Sequence, residues 1–183
     1  FLDIQGAHLQ LSAGRAMEAP QRDELRATLV RQRLAGSDLR VEFLTLFEGV
    51  DPLRGAPVDL SLRMAALRGR YDGPGTVNHG ALSQIKSEIP RLSKGLPRAA
   101  AMPLAQQVAL AYPDRVGLRR PGDAPRYLLS GGKGAVLPEG DPLANSRFLV
   151  ATDLDGDPRE ARIRQAIPIA LSELRETFSD QIE

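Results

Sequence analysis

The sequence predicts an α+β fold, in which an N-terminal helical bundle precedes a small antiparallel β domain that carries one terminal helix. Up to about Tyr112 the apolar residues recur at helical spacing, with Pro and Gly between the segments. After Pro113 the chain changes to short apolar runs separated by Gly, Pro, Asp and Asn, as expected of consecutive antiparallel strands. The boundary between the two parts is predicted near residues 112–116.

The helical part contains several segments with one apolar face. In SDLRVEFLTLFEG, Ser37 or Asp38 is the expected cap and Gly49 the stop. In GALSQIKSEIPRL, Pro90 is expected to kink or end the helix, because proline removes a backbone donor and clashes with the preceding turn. The predicted helices cover residues 22–34, 37–49, 57–69, 80–92 and 103–112.

The β part is predicted from four runs, RYLL (126–129), GAVL (134–137), RFLVATDL (147–154) and EARIRQAI (160–167). A last helix, ALSELRETF, follows them and places Leu171, Leu174 and Phe178 on one face.

The run SGGKGAVL at residues 130–137 has the glycines and the lysine of a phosphate-binding loop. However, Lys133 is followed by Gly134 and not by the Ser or Thr that would hold magnesium. Strand-like residues flank the run on both sides, whereas a phosphate loop opens a helix. The sequence therefore favours a hairpin turn.

The run DLDGDPRE at residues 153–160 is similar to a calcium loop in its alternating carboxylates. Its glycine, Gly156, comes too early for such a loop, and Glu160 is too close to serve as the closing bidentate ligand. Because the run lies between two predicted strands, Asp155 and Gly156 are better explained as a hairpin turn.

Composition excludes several classes of site. The 183 residues include no cysteine and only two histidines, His8 and His79, which removes disulfides, thiol nucleophiles and ordinary zinc sites. A reducing, cytoplasmic setting is expected. The formal net charge of +1 predicts no global attraction to nucleic acid or membrane, so any basic site must be local. No apolar run approaches the roughly 20 residues that span a bilayer.

Several long runs resemble one family. ALAYPDRVGLRR, RYLLSGGKGAVLPEGDPLANSRFLVATDLDG and EARIRQAIPIALSELRETF resemble the C-terminal half of the HrpB family of bacterial ATP-dependent helicases, in the DEAH/RHA helicase group. Upstream, LSAGRAMEAP is similar to the end of the family's winged-helix region, and DLRVEFLTLFEGVDPLRG is similar to its helical ratchet domain. The resemblance covers nearly the whole chain, is most specific over residues 109–167 and is weaker over the first 35 residues.

The resemblance implies a division into the end of a winged-helix region (1–19), a helical ratchet domain (20–112) and an oligonucleotide-binding (OB)-like β domain (113–183). The family's chain continues further, and the sequence leaves open whether the β domain is complete or truncated at Glu183. Two RecA-like motor domains would precede Phe1 in the parent helicase and would use ATP and magnesium. The sequence itself has no GKT, no GKS and no Asp-Glu pair followed by His. No catalytic site, metal site or cofactor is therefore expected in this chain.

In helicases of this group the ratchet helices and the β domain close over the single strand that leaves the motor. The resemblance thus implies that this chain forms one wall of a nucleic-acid channel, and local cations would contact the phosphates. The predicted nucleic-acid-binding residues are Arg115, Arg119, Arg120, Arg126, Tyr127, Lys133, Arg162 and Arg164. The alternative is that these are solvated charges on edge strands, where cations discourage aggregation.

Three functions remain open from the sequence. The first is an accessory region of an HrpB-like helicase that guides single-stranded nucleic acid, RNA being the expected partner, and that docks on the parent's own RecA-like domains. The second is a protein-interaction module that docks on the motor without touching nucleic acid. The third is a free-standing enzyme, which the shortage of His and Cys disfavours. No membrane partner is expected.

Overall fold

The computed structural model describes residues 50–93, 102–157 and 159–179. The predicted helices at residues 22–34 and 37–49 and the predicted winged-helix end lie outside the described residues.

The helices predicted within the described residues are confirmed. They are α1 (Leu60–Leu67), α2 (His79–Ser93), α3 (Leu104–Ala111) and α4 (Leu171–Thr177). The carboxylate of Asp59 accepts the Ser61 amide at 2.8 Å and so caps α1. Pro90 lies in the last turn of α2 and does not end the helix, which continues to Ser93. No helix of the described ranges is long and apolar enough to cross a bilayer.

A two-stranded antiparallel ribbon, β1 (Leu53–Arg54) with β2 (Thr76–Val77), frames α1 and was not predicted. The strands are too short to show an alternating pattern in the sequence. Gly75, directly before β2, has φ of +97°, a conformation that residues with a side chain rarely adopt.

Five strands after Pro113 close into a barrel. They are β3 (Val116–Arg119), β4 (Arg126–Leu129), β5 (Gly134–Val136), β6 (Phe148–Leu154) and β7 (Glu160–Pro168), in the closed order β3-β4-β5-β7-β6. A small, five-stranded closed barrel of this kind is OB-like. The chain therefore has an α+β fold with an OB-like barrel, as predicted.

The prediction that all these strands are antiparallel is wrong at one pair, since β5 and β7 run parallel. The reason is topological. Strand directions cannot alternate around a closed ring with an odd number of strands, so at least one neighbouring pair must be parallel. The remaining four pairs are antiparallel.

The apolar residues form two clusters that share β6. Phe148 and Val150 face α3 and α4 in a core between helices and barrel, whereas Leu149 and Ala151 point into the barrel. Burial on both faces explains the continuous apolar run of RFLVATDL. Leu174 and Phe178, at the terminal helix, are buried in the cluster between the helices and the barrel, as their spacing predicted.

A short turn between β5 and β6 joins the barrel to the segment before α1. We call residues 141–146 the cap turn; it contains the 3-10 helix Pro142–Asn145. The buried carboxylate of Asp141 accepts the amides of Val58 and Leu143, each at 2.9 Å. The Val58 carbonyl in turn accepts the Ala166 amide of β7 at 3.0 Å. Segment 57–59 is thus held between the cap turn and the barrel wall.

Candidate nucleic-acid interface

The glycine-rich run is a hairpin turn, as predicted. Residues 130–133 join β4 to β5, and the Leu129 amide donates to the Lys133 carbonyl at 2.9 Å. Gly132 has φ of +84°, which the turn requires and glycine adopts without strain. No helix follows Lys133, so the backbone amides are not arranged as in a phosphate loop.

The acidic run is also a hairpin connection, between β6 and β7. Its carboxylates are engaged by the turn itself: Asp155 accepts the amides of Asp157 and Arg162 at 3.1 and 2.9 Å. These backbone hydrogen bonds, led by that of Asp157, hold the pKa of the Asp155 carboxyl below its usual value. Among the residues that the structure describes, no cluster of His, Asp and Glu could hold a metal ion.

Two of the predicted nucleic-acid-binding arginines make contacts within the protein. Arg119 donates from Nε to the Ala144 carbonyl at 2.8 Å, and from Nη2 to Gly122 at 3.3 Å, so it ties the loop after β3 to the cap turn. Arg115 donates to the Thr152 carbonyl at 2.8 Å, and its guanidinium lies 5.0 Å from the centre of the Tyr112 ring. Both side chains are half-buried.

Tyr127 was predicted to bind nucleic acid, but its ring is fully buried inside the barrel, where no base can stack on it. Its hydroxyl is shared between the carbonyls of Leu143 and Ser146, at 3.1 and 2.8 Å. Burial raises the pKa of the Tyr127 phenol above its ordinary value, against an opposing effect of the Arg119 charge. Tyr127 therefore anchors the cap turn.

Replacing Tyr127 by phenylalanine should lower the free energy of unfolding by about 1–2 kcal/mol at neutral pH, because two buried carbonyls lose their donor. The raised pKa means that wild type binds the phenolic proton more tightly when folded. That stabilisation is complete below about pH 10 and is lost as the pH rises through the folded-state pKa. The difference between the two proteins, measured by urea denaturation, should shrink above pH 10; a constant difference would contradict this role.

The remaining cations lie on the outside of the barrel. Arg126 of β4, Val136 of β5 and Arg162 of β7 are aligned in register across three neighbouring strands. Arg164, two residues beyond Arg162, shares its side of β7, while the intervening Ile163 is buried in the barrel. The three arginines are exposed. We call Arg126, Arg162 and Arg164 the basic face.

Two further predicted cations flank the basic face. Arg120 is exposed in the loop after β3, and its amide donates to the Arg126 carbonyl at 2.8 Å. Lys133 is half-buried in the turn directly before β5. Arg159, an exposed residue directly before β7, was not among the predicted residues. Strand alternation does not identify it, because side chains three residues apart in a strand point to opposite faces.

The carboxylate of Glu160 reduces the positive charge of the basic face. Glu160, at the start of β7, contacts Arg126 with 3.3 Å between Oε1 and Nε. The five phenylalanine and tyrosine residues of the described ranges are buried or pack against the cores, so none lies on the basic face. The surface offers cationic side chains for phosphates without an aromatic platform for bases.

Comparison with solved structures finds the same fold in a bacterial helicase. The crystal structure of the E. coli DExH-box NTPase HrpB matches with a TM-score of 0.62 and 24% identity, over 93% of this chain and 21% of that one. The predicted resemblance to HrpB is confirmed at the level of the fold. A second structure, of the E. coli DEAH/RHA helicase HrpB, matches with a TM-score of 0.53 and 23% identity, over 73% of this chain.

The chain spans about one fifth of the HrpB structure that it matches. One family model, described as the C-terminal domain of the protein-arginine kinase McsB, matches residues 1–42, which lie outside the described residues. No curated protein matches the sequence.

Proposed function

We propose that this chain is an accessory region of an HrpB-like ATP-dependent helicase, in which the barrel guides single-stranded nucleic acid past the motor. The observation that carries the proposal is the HrpB fold over 93% of the chain, combined with exposed arginines on its OB-like barrel. RecA-like motor domains elsewhere in the parent would bind ATP and magnesium in the cytoplasm. The chain itself would contribute no catalytic group and no cofactor.

The chemistry of the basic face supports a role in contacting phosphates. Arginine presents several N–H donors in a planar fork that matches two phosphate oxygens, and it stays charged at every physiological pH. Strands 2 and 3 of OB barrels, which correspond to β4 and β5, commonly form the oligonucleotide-binding surface. Arg126 lies on the first of these strands, and Arg162 and Arg164 extend the surface along β7.

The contribution of the proposed site residues is unequal. Arg126, Arg162 and Arg164 would contact phosphates directly, with Arg120 and Lys133 at the flanks. Arg115, Arg119 and Tyr127 would act indirectly, by holding the loops and the cap turn that support the surface.

Reversing the charge of Arg162 and Arg164 together should weaken binding of a labelled single-stranded RNA by more than about tenfold at low salt. Two lost phosphate contacts should also reduce the slope of log affinity against log salt by about 1.4, since each contact contributes about 0.7 for a single strand. The measurement is fluorescence polarisation of the purified chain at several salt concentrations, with single-stranded DNA of the same sequence in parallel.

The matched control reverses two exposed arginines outside the barrel, Arg70 in the loop after α1 and Arg175 of α4, so that the net charge changes equally. The control should bind like wild type. Wild-type protein that binds neither RNA nor DNA at low salt would leave the protein-interaction module as the better explanation. Equal weakening in both variants would show that overall charge, and not the basic face, governs binding.

A further inference from the structure

The carboxylate of Glu160 contacts Arg126 and therefore competes with a phosphate for this arginine of the basic face. Glu160 is paired in register with Gly134, and Arg126 with Val136, so the ion pair runs diagonally across β5. Gly134 has no side chain, and a Cβ built there would be in ordinary van der Waals contact with Cγ of Glu160, at 3.9 Å.

The Arg126–Glu160 contact is accessible to solvent. The Arg126 side chain is 56% exposed and that of Glu160 32% exposed, so water and salt screen their attraction. The contact joins Nε of Arg126 to Oε1 of Glu160 at 3.3 Å, which is long for a charge-assisted hydrogen bond. A phosphate that engages two guanidinium donors would therefore form a stronger interaction than the one it replaces.

Arg115 and Arg119 provide a contrast. Their guanidinium groups donate to backbone carbonyls at 2.8 Å, and these acceptors are fixed parts of β6 and of the cap turn, respectively. The acceptor of Arg126 is a side chain that can rotate away. Of these three arginines, Arg126 is thus the one that can exchange its acceptor without a change of the backbone.

We propose that Glu160 is an affinity-setting residue: its carboxylate occupies Arg126 in the free protein, and a backbone phosphate of a single-stranded nucleic acid displaces it on binding. This inference rests on the proposed function. Because a phosphate must first displace the Glu160 carboxylate, the affinity for any phosphate chain is lowered, whatever its base sequence. The pair thereby favours a strand that moves through the site over one that is held there.

Replacing Glu160 by glutamine keeps the shape of the side chain and removes its charge. We expect the E160Q variant to bind a labelled uridine homopolymer about twofold to fivefold more tightly than wild type at low salt, with an unchanged melting temperature. The control is D72N, which removes one negative charge at an exposed position in the loop before β2. Its affinity should stay at the wild-type value.

A double-mutant cycle with R126Q separates displacement from general repulsion. If Glu160 acts through Arg126, E160Q should raise affinity more in wild type than in R126Q, because the second background has no pair to break. Equal gains in both backgrounds would overturn the proposal and reduce Glu160 to a general repulsive charge.

Each remaining outcome is also decisive. Wild-type protein that binds the homopolymer while E160Q binds equally or less tightly overturns this inference and leaves the proposed function intact. Wild type and E160Q that both fail to bind at low salt overturn both. Labelled poly-glutamate that binds as tightly as the homopolymer would assign the surface to an acidic protein partner.

Discussion

Replacing Asp141 by alanine is expected to lower the free energy of unfolding by about 3 kcal/mol. The carboxylate is buried and accepts two amides, those of Val58 and Leu143, at 2.9 Å. Hydrogen bonds to a charged group contribute about 1.5–3 kcal/mol each, and alanine leaves both buried donors without an acceptor. Urea denaturation monitored by far-UV circular dichroism measures the loss.

Glu139 supplies the matched control, because it is exposed and lies two residues before Asp141. Glu139→Ala should change stability by less than about 0.5 kcal/mol. Hydrogen exchange gives a local readout: the Val58 amide should exchange faster in Asp141→Ala. A similar small loss in both variants, with Val58 still protected, would show that the cap turn does not hold segment 57–59.

The cap turn also explains why a distant change could alter the basic face. Val58 joins the cap turn to Ala166 of β7, the strand that carries Arg162 and Arg164. Loss of Asp141 would loosen segment 57–59 on one side of that strand. We therefore expect the cap turn to influence the proposed site through the position of β7, without contact between Asp141 and a ligand.

Much of the fold was predictable, because the sequence patterns are local. The helical spacing of Leu60, Met64 and Leu67 identified α1, and the apolar runs identified β4, β5, β6 and β7. Strand β3 was missed because VGLR is short, contains a glycine and continues into a basic run. The closure of the barrel and its parallel pair depend on contacts between distant segments, which no local pattern reports.

For the candidate site, the residue types were easier to predict from the sequence than the directions in which the side chains point. Successive side chains of a strand point to opposite faces, so Arg126 and Tyr127 could not both lie on one surface of RYLL. That alternation was available in the sequence and would have placed Tyr127 inside. In contrast, the partners of Arg119 lie in the cap turn and its own loop, and their approach follows only from the folded chain.

The Arg119 contacts change the choice of mutations as well. Charge reversal at Arg119 would remove the donor to the Ala144 carbonyl and place a carboxylate beside it. Arg162 and Arg164 avoid this difficulty, because both are exposed and alternate with buried residues on one strand. They report on binding without disturbing the cap turn.

The second large effect is expected at Arg63, a cation of α1 that is only 3% exposed. Its guanidinium contacts the Asp51 carboxylate at 2.9 Å and donates to the carbonyls of Pro57 and Asp59. Asp51 also accepts the Leu53 amide at 2.9 Å. Arg63 thus connects α1 to the segments on both sides of β1.

Replacing Arg63 by methionine should lower the free energy of unfolding by about 2–3 kcal/mol. Breaking a buried ion pair typically costs about 3–5 kcal/mol, and the Asp51 side chain, 35% exposed, recovers part of this through hydration. Lys86→Met on the exposed side of α2 controls for the added apolar surface. In the double variant Arg63→Met/Asp51→Asn the loss should be smaller than in Arg63→Met alone, since no unpaired carboxylate remains. A double variant as unstable as the sum of its single changes would mean that Arg63 stabilises α1 through the two carbonyls and not through the ion pair.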